Sequence, residues 1–224
     1  MDSATSLEQV DVYWSFRSPY SYLATPDLLA IAREFPVQVN LRVVLPIAIR
    51  EPELLFSEGK RKHLLYVVMD WERRAEMLGM PHRWPSPDPV VQDVGSAIVP
   101  KDQPYIHRLS RLGVEAQRRG LGLPFAAEVS RLIFGGTVDW HKGDKLERAA
   151  SRAGLDLAAL DTAIAARGAD HADEIEANQR ALDAAGGWGV PTAVFRDEIF
   201  FGQDRMDTLR WRMEQAGLPR SVLT

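Results

Sequence analysis

Residues 10–45 constrain the fold of this chain more than any other stretch. In V-D-V-Y-W-S-F, Val10, Val12, Trp14 and Phe16 alternate with Asp11, Tyr13 and Ser15, the period of a β-strand. Ser18 and Pro19 follow: a serine that can accept from free amides as an N-cap, then a proline at the helical position where its missing N–H leaves no bond unmade. The helix so begun runs to about Phe35. Pro26 lies inside it and removes one backbone hydrogen bond, which predicts a kink or break near Thr25. Val37, Val39, Leu41, Val43 and Leu45 then alternate with Gln38, Asn40, Arg42 and Val44 as a second strand. Two strands joined through a helix form a parallel crossover in one sheet.

The middle of the chain reads as helical. Leu64, Val67, Trp71, Ala75 and Leu78 recur at steps of three and four, flanked by charges such as Glu72, Arg73 and Arg74. Six of the fourteen prolines lie between Pro81 and Pro104, so an extended connection over the surface is expected there. Helical patterns resume at Tyr105 to Arg119, Phe125 to Phe134, Lys142 to Ala153, Leu157 to Ala166 and His171 to Ala185, with Gly120, Gly154 and Gly168 as C-caps. Strands return only at Thr192 to Arg196 and Ile199 to Phe201, joined through Asp197-Glu198. A last amphipathic helix runs from Asp204 to about Ala216.

Composition removes several function classes. With 27 Lys plus Arg against 31 Asp plus Glu, the net charge is −4, so no broad basic field attracts nucleic acid. No apolar run approaches the roughly 20 residues that cross a bilayer, and the opening Met1 to Ser6 is polar; a cytoplasmic protein with no membrane partner is expected. Cysteine is absent, which excludes disulfides, thiolate metal sites and a cysteine nucleophile. His63, His82, His107, His141 and His171 show no paired ligand spacing, so no metal is expected.

Three short motifs remain, and each has a plain structural account. Ser18-Pro19 serves as a helix start, Val190-Pro191 as a trans proline opening an edge strand, and Asp204 as a helix cap. Taken together, Y-W-S-F-R-S-P-Y-S-Y-L, G-W-G-V-P-T and F-F-G-Q-D-R-M resemble the 2-hydroxychromene-2-carboxylate isomerases and the related kappa-class glutathione transferases. The resemblance implies an α/β fold with a thioredoxin-like mixed sheet (βαβ…ββα) of the DsbA-like kind and a large all-helical insertion. Residues 8–46 and 186–224 would form the thioredoxin-like domain, and 47–185 the helical insertion domain. In disulfide oxidoreductases of this fold the first motif is C-P-x-C. Ser18 and Ser21 stand at both cysteine positions, so dithiol chemistry is excluded.

The resemblance also assigns roles. Ser18 is the catalytic residue that directs the sulfur of bound glutathione. Val190 and a cis Pro191 pair with its cysteinyl backbone. Asp204 receives the α-amino group of the γ-glutamyl arm, the Gln203 amide meets its carboxylate, and Arg205 contacts ligand or braces the site. A kappa-class lysine is replaced by His63, with Lys62 beside it; one of these cations binds the glycyl carboxylate, or both belong to a solvated face. Tyr20, Trp84 and Trp14 line an aromatic substrate pocket, although tryptophans are mostly core residues.

Elementary energetics agree with the Ser18 role. A thiol with a pKa of about 8.5 is only slightly ionised at neutral pH. A hydroxyl donating to the thiolate contributes roughly 1.5–3 kcal/mol, and a helix N-terminus about 0.3–1 kcal/mol. At about 1.4 kcal/mol per unit, these lower the thiol pKa by roughly one to two units. The expected activity is a glutathione-dependent isomerisation in which the thiol adds reversibly to a conjugated, aromatic carboxylate acceptor, in a homodimer. The alternatives are a kappa-class-like transferase that consumes glutathione and a redox-inactive thioredoxin-like peptide-binding module.

Overall fold

The structure, a computed structural model, describes residues 7–52, 58–92 and 98–221. Four strands form one mixed sheet in the order β2-β1-β3-β4: β1 Glu8–Trp14, β2 Val37–Val43, β3 Thr192–Phe195 and β4 Glu198–Phe201. β1 and β2 are parallel, from Glu8 opposite Val37 to Trp14 opposite Val43, and α1 (Pro19–Glu34) supplies the crossover. β3 runs antiparallel to both β1 and β4. The expected α/β architecture is therefore present. The hairpin turn is Arg196-Asp197, not Asp197-Glu198; both residues have positive φ, 48° and 65°, the twist that a two-residue hairpin requires.

Strand β1 is buried on both faces. Val10, Val12, Trp14 and Phe16 enter the main core, while Tyr13, on the opposite side, packs with Val44 and Leu182 in a second cluster. The sheet is thus sandwiched, and its alternation of polar and apolar residues understates its burial. Edge strand β2 is covered by side chains: the Gln117 amide oxygen accepts from the Leu41 N–H at 2.9 Å, and the Asn178 amide donates to the Val43 carbonyl at 3.0 Å.

Helix α1 runs through Pro26 without the expected break. The proline leaves the Tyr22 carbonyl without its usual amide donor, and the Thr25 hydroxyl donates to that carbonyl at 2.7 Å instead.

Among the described residues, the helices of the middle segment are α2 (Ile47–Arg50), α3 (Glu58–Met77), α4 (Ile106–Arg118), α5 (Gly122–Phe134), α6 (Lys145–Arg152), α7 (Leu157–Ala166) and α8 (Gly168–Ala184). A single 3-10 turn, Gln203–Arg205, precedes the last helix, α9 (Met206–Gln215). Gly120 and Gly154 take positive φ where helices end, but Gly168 begins α8 and does not cap α7. On α3, Trp71 and Ala75 are fully buried, whereas Leu78 emerges just past the helix end; Leu64 lies outside the described side chains.

Residues 80–92 and 98–105 carry no helix, as the prolines imply, yet they are not merely superficial. Val90 is fully buried, and buried Gln103 bonds the Val91 N–H and the Val91 and Pro100 carbonyls. Helix α4 lies against the sheet at Gly113, where a Cβ would stand 2.6 Å from the Phe16 ring and 3.0 Å from Val43. Buried side chains from Val10 to Met213 form one continuous cluster, so the middle helices share a core with the sheet.

Candidate functional site

Ser18 takes extended backbone angles at the N-cap of α1, with Pro19 in the first turn. Its Oγ accepts from the Ser21 N–H at 3.1 Å, the expected capping bond. The same hydroxyl donates to the Val190 carbonyl at 3.3 Å, which brings the first and second motifs into contact. That distance is long for an O–H···O bond, whose usual length is about 2.7–2.8 Å, so the proton is available to a stronger, charged acceptor. Ser21, at the second cysteine position of the disulfide oxidoreductases, is fully buried and its hydroxyl has no partner among the described residues.

The Val190–Pro191 bond is cis. The Val190 N–H has no hydrogen-bond partner among the described residues. The Pro191 carbonyl accepts from the Gly202 N–H at 2.9 Å, and this bond ties the third motif to the second. Gly202 has a φ of 106°, and a Cβ there would lie 2.6 Å from the Asp204 carboxylate, so only glycine fits this corner.

In the third motif Gln203 is buried, and its Oε1 accepts from Arg74 of α3 at 3.0 Å. Asp204 is half-exposed and pairs with Arg205 at 3.3 Å. Asp204 does not cap a helix: no side chain caps the 3-10 turn or α9, because the turn begins at Gly202. The carboxylate is left at the surface beside the motif.

The aromatic residues differ in burial and partners. The Tyr20 hydroxyl donates to Asp70 Oδ2 at 2.7 Å, while Tyr66 and Arg73 hold Oδ1 at 3.2 Å and 2.9 Å. Burial, followed by the hydrogen bond and charge of Asp70, pushes the Tyr20 phenol well above its ordinary pKa, so it remains a neutral donor. Burial opposes the ionisation of Asp70, but hydrogen bonds from Tyr20, Arg73 and Tyr66 outweigh it and hold the carboxyl below its ordinary range. Trp84 is half-buried, edge-on to Trp71 and under the Arg17 guanidinium, which forms a two-pronged pair with Asp88 at 2.9 Å.

Trp14 is a correction. Its side chain has no exposed surface and belongs to the main core, because its strand face is the one that α1 and the helical segment cover. Lys62 is exposed on α3, and the side chain of His63 lies outside the described residues. The structure thus joins Ser18, Val190, Pro191 and Gln203 through a chain of contacts. Arg74, Asp70 and Arg17 were not singled out from the sequence as site residues. Arg74 read there as one of the charges flanking a helix, and its partner lies 129 positions away.

A mixed four-stranded sheet with a cis proline before β3, facing the N-terminus of the crossover helix, defines a thioredoxin-like protein. Residues 9–214 match the DsbA-like thioredoxin domain, and the chain belongs to that family. No curated protein matches it. Among solved structures it is similar to a 2-hydroxychromene-2-carboxylate isomerase, with 19% identity and a TM-score of 0.65 over 93% of this chain and 95% of the other. It is similar also to a probable DsbA oxidoreductase from Streptomyces coelicolor, with 21% identity and a TM-score of 0.65 over 97% and 93%. A third is the cytosolic disulfide reductase DsbM from Pseudomonas aeruginosa with GSH, with 15% identity and a TM-score of 0.56 over 93% and 98%. At these identities the likeness is one of fold.

Proposed function

We propose that the protein is a glutathione-dependent isomerase of the 2-hydroxychromene-2-carboxylate type. The observation that carries this reading is the contact chain from the Ser18 hydroxyl to the Val190 carbonyl, and from Pro191 through Gly202 to Gln203. The polar groups along this chain of contacts suit a γ-glutamyl tripeptide. The Val190 N–H is available to an extended backbone, the Gln203 amide nitrogen donates to no described group, and the Asp204 carboxylate stands at the surface for an ammonium. With no cysteine in the chain, the sulfur has to come from the ligand.

When bound, glutathione supplies a thiolate that adds reversibly to a conjugated acceptor. Ser18 turns its proton from the Val190 carbonyl to that sulfur, and the Ser21 N–H on its Oγ makes the hydroxyl a better donor. Tyr20, kept neutral by burial and by Asp70, presents a phenyl wall two residues from Ser18, and Trp84 a second aromatic face. The acceptor in this reading is a small aromatic carboxylate, and the protein is cytoplasmic. It acts as a homodimer, for which Leu65, Val68 and Met69, exposed together on α3, offer an apolar face.

Calorimetric titration with glutathione, followed by ultraviolet difference spectra for bound thiolate, tests the reading. Heat of binding, a thiolate band at neutral pH and turnover of 2-hydroxychromene-2-carboxylate with glutathione recovered unconsumed are expected. Stoichiometric loss of glutathione would make the protein a kappa-class-like transferase. Peptide binding without glutathione binding would make it a redox-inactive thioredoxin-like module.

A further inference from the structure

We infer that Arg74 is a positioning residue, which orients the Gln203 amide so that its nitrogen meets the γ-glutamyl carboxylate of bound glutathione; this rests on the glutathione reading above. A guanidinium has donors only. The Arg74 Nη2 lies 3.0 Å from Gln203 Oε1, so the amide must keep its oxygen toward α3 and turn its NH2 group the other way. Gln203 is only 8% exposed, and its amide nitrogen donates to no described residue. An amide without such a partner can sit in either of two nearly isosteric orientations, one of which would set its oxygen against the arriving carboxylate.

The charge on Arg74 supports the same assignment. Among the described residues it has no carboxylate partner: Nη1 lies 3.3 Å from the weak acceptor Met77 Sδ, and Nε is buried without a hydrogen bond. The arginines nearest it in sequence and at the third motif are matched by acids, Arg73 by Asp70 and Arg205 by Asp204. A partly desolvated, unneutralised cation behind the Gln203 amide polarises its N–H bonds and makes this corner attractive to an anion. Replacing the guanidinium by a thioether, which has no N–H to donate, removes the constraint on the amide.

The test compares two peptides by calorimetry on the intact protein: glutathione, and 4-aminobutyryl-cysteinyl-glycine, which lacks only the γ-glutamyl α-carboxylate. The wild type should prefer glutathione. Arg74→Met should weaken glutathione binding about tenfold while changing the affinity for the truncated peptide less than about twofold, so the preference collapses. Gln203→Glu supplies an independent arm that does not depend on an Arg74 variant folding. Its new carboxylate pairs with Arg74, so it should raise the melting temperature while abolishing the preference for the carboxylate-bearing peptide. Equal weakening of both peptides by Arg74→Met, or an unchanged preference, overturns the assignment of Arg74 alone. A wild type that binds neither peptide overturns the glutathione reading itself.

Discussion

The Ser18 hydroxyl donates to the Val190 carbonyl across 3.3 Å, although the two residues lie 172 positions apart. One oxygen therefore closes the N-terminus of α1 and touches the proline loop, and its two roles are separable by substitution. Ser18→Ala loses the cap, which lowers stability by about 1 kcal/mol. It also loses the hydrogen bond to a thiolate, roughly 1.5–3 kcal/mol, so glutathione-dependent turnover should fall roughly 10- to 150-fold. Ser18→Asp, a competent cap but an anion against the sulfur, should keep the melting temperature near that of the wild type while suppressing the thiolate band. If Ser18→Ala turns over undiminished, Ser18 has no catalytic part.

The pair of Tyr20 and Asp70 makes a prediction in pH. Because the Asp70 carboxyl is held low in the folded protein, its contribution to stability is present above the ordinary aspartate range and is lost as pH falls through the folded value. Tyr20→Phe removes one of the hydrogen bonds that lower it. Its titration midpoint, followed by carboxyl-carbon NMR, should move up toward the ordinary value near 3.9. A midpoint that stays put would mean that Arg73 and Tyr66 alone set it.

A second polar cluster shares no hydrogen bond with the site residues. Glu115 on α4 is almost wholly buried and meets fully buried His171 of α8 at 2.9 Å, with Arg119 and Arg167 at 3.1 Å and 3.3 Å. Burial opposes its ionisation, but the His171 hydrogen bond and Arg119 outweigh it, and the carboxyl stays below its ordinary range. Its stabilisation is thus complete above about pH 4.3 and disappears on acidification. Glu115→Gln should cost about 3–5 kcal/mol at neutral pH and flatten the acid limb of the stability profile, read by denaturant unfolding at several pH values. Glutathione affinity should be unaffected.

Gly113 tests how closely α4 must approach the sheet. In an open helix Gly→Ala stabilises by about 1 kcal/mol. Here the new methyl would meet the Phe16 ring at 2.6 Å, and that ring has no exposed surface into which to retreat. The clash, about 1–3 kcal/mol, should at least cancel the gain and make Gly113→Ala net destabilising. A higher melting temperature would show that Phe16 and Val43 can give way.

Much of this arrangement is local in origin and could be read directly. The alternation in β1 and β2, the Ser18-Pro19 start and the late strand pair specify the sheet, because each depends on residues a few positions apart. The absence of cysteine settles the exclusion of dithiol chemistry without any structure. What misled local reasoning was compensation from neighbours in space. Thr25 restores the bond that Pro26 removes, Gln103 satisfies backbone that the prolines leave irregular, and α8 covers the strand face that carries Tyr13. Asp204 failed as a cap because the turn starts one corner earlier, at a glycine.

The amino-acid order by itself determined the strand and helix sequence, the capping serine and the lack of any thiol of its own, since those follow from short-range backbone sterics and from which side chains exist at all. Only the tertiary structure decided that Ser18 faces Val190, that Trp14 is core and that Arg74 grips Gln203. Those contacts join segments tens to more than a hundred residues apart, and the packing of helices on one sheet, with no pattern in the chain between them, brings each pair within a few ångströms.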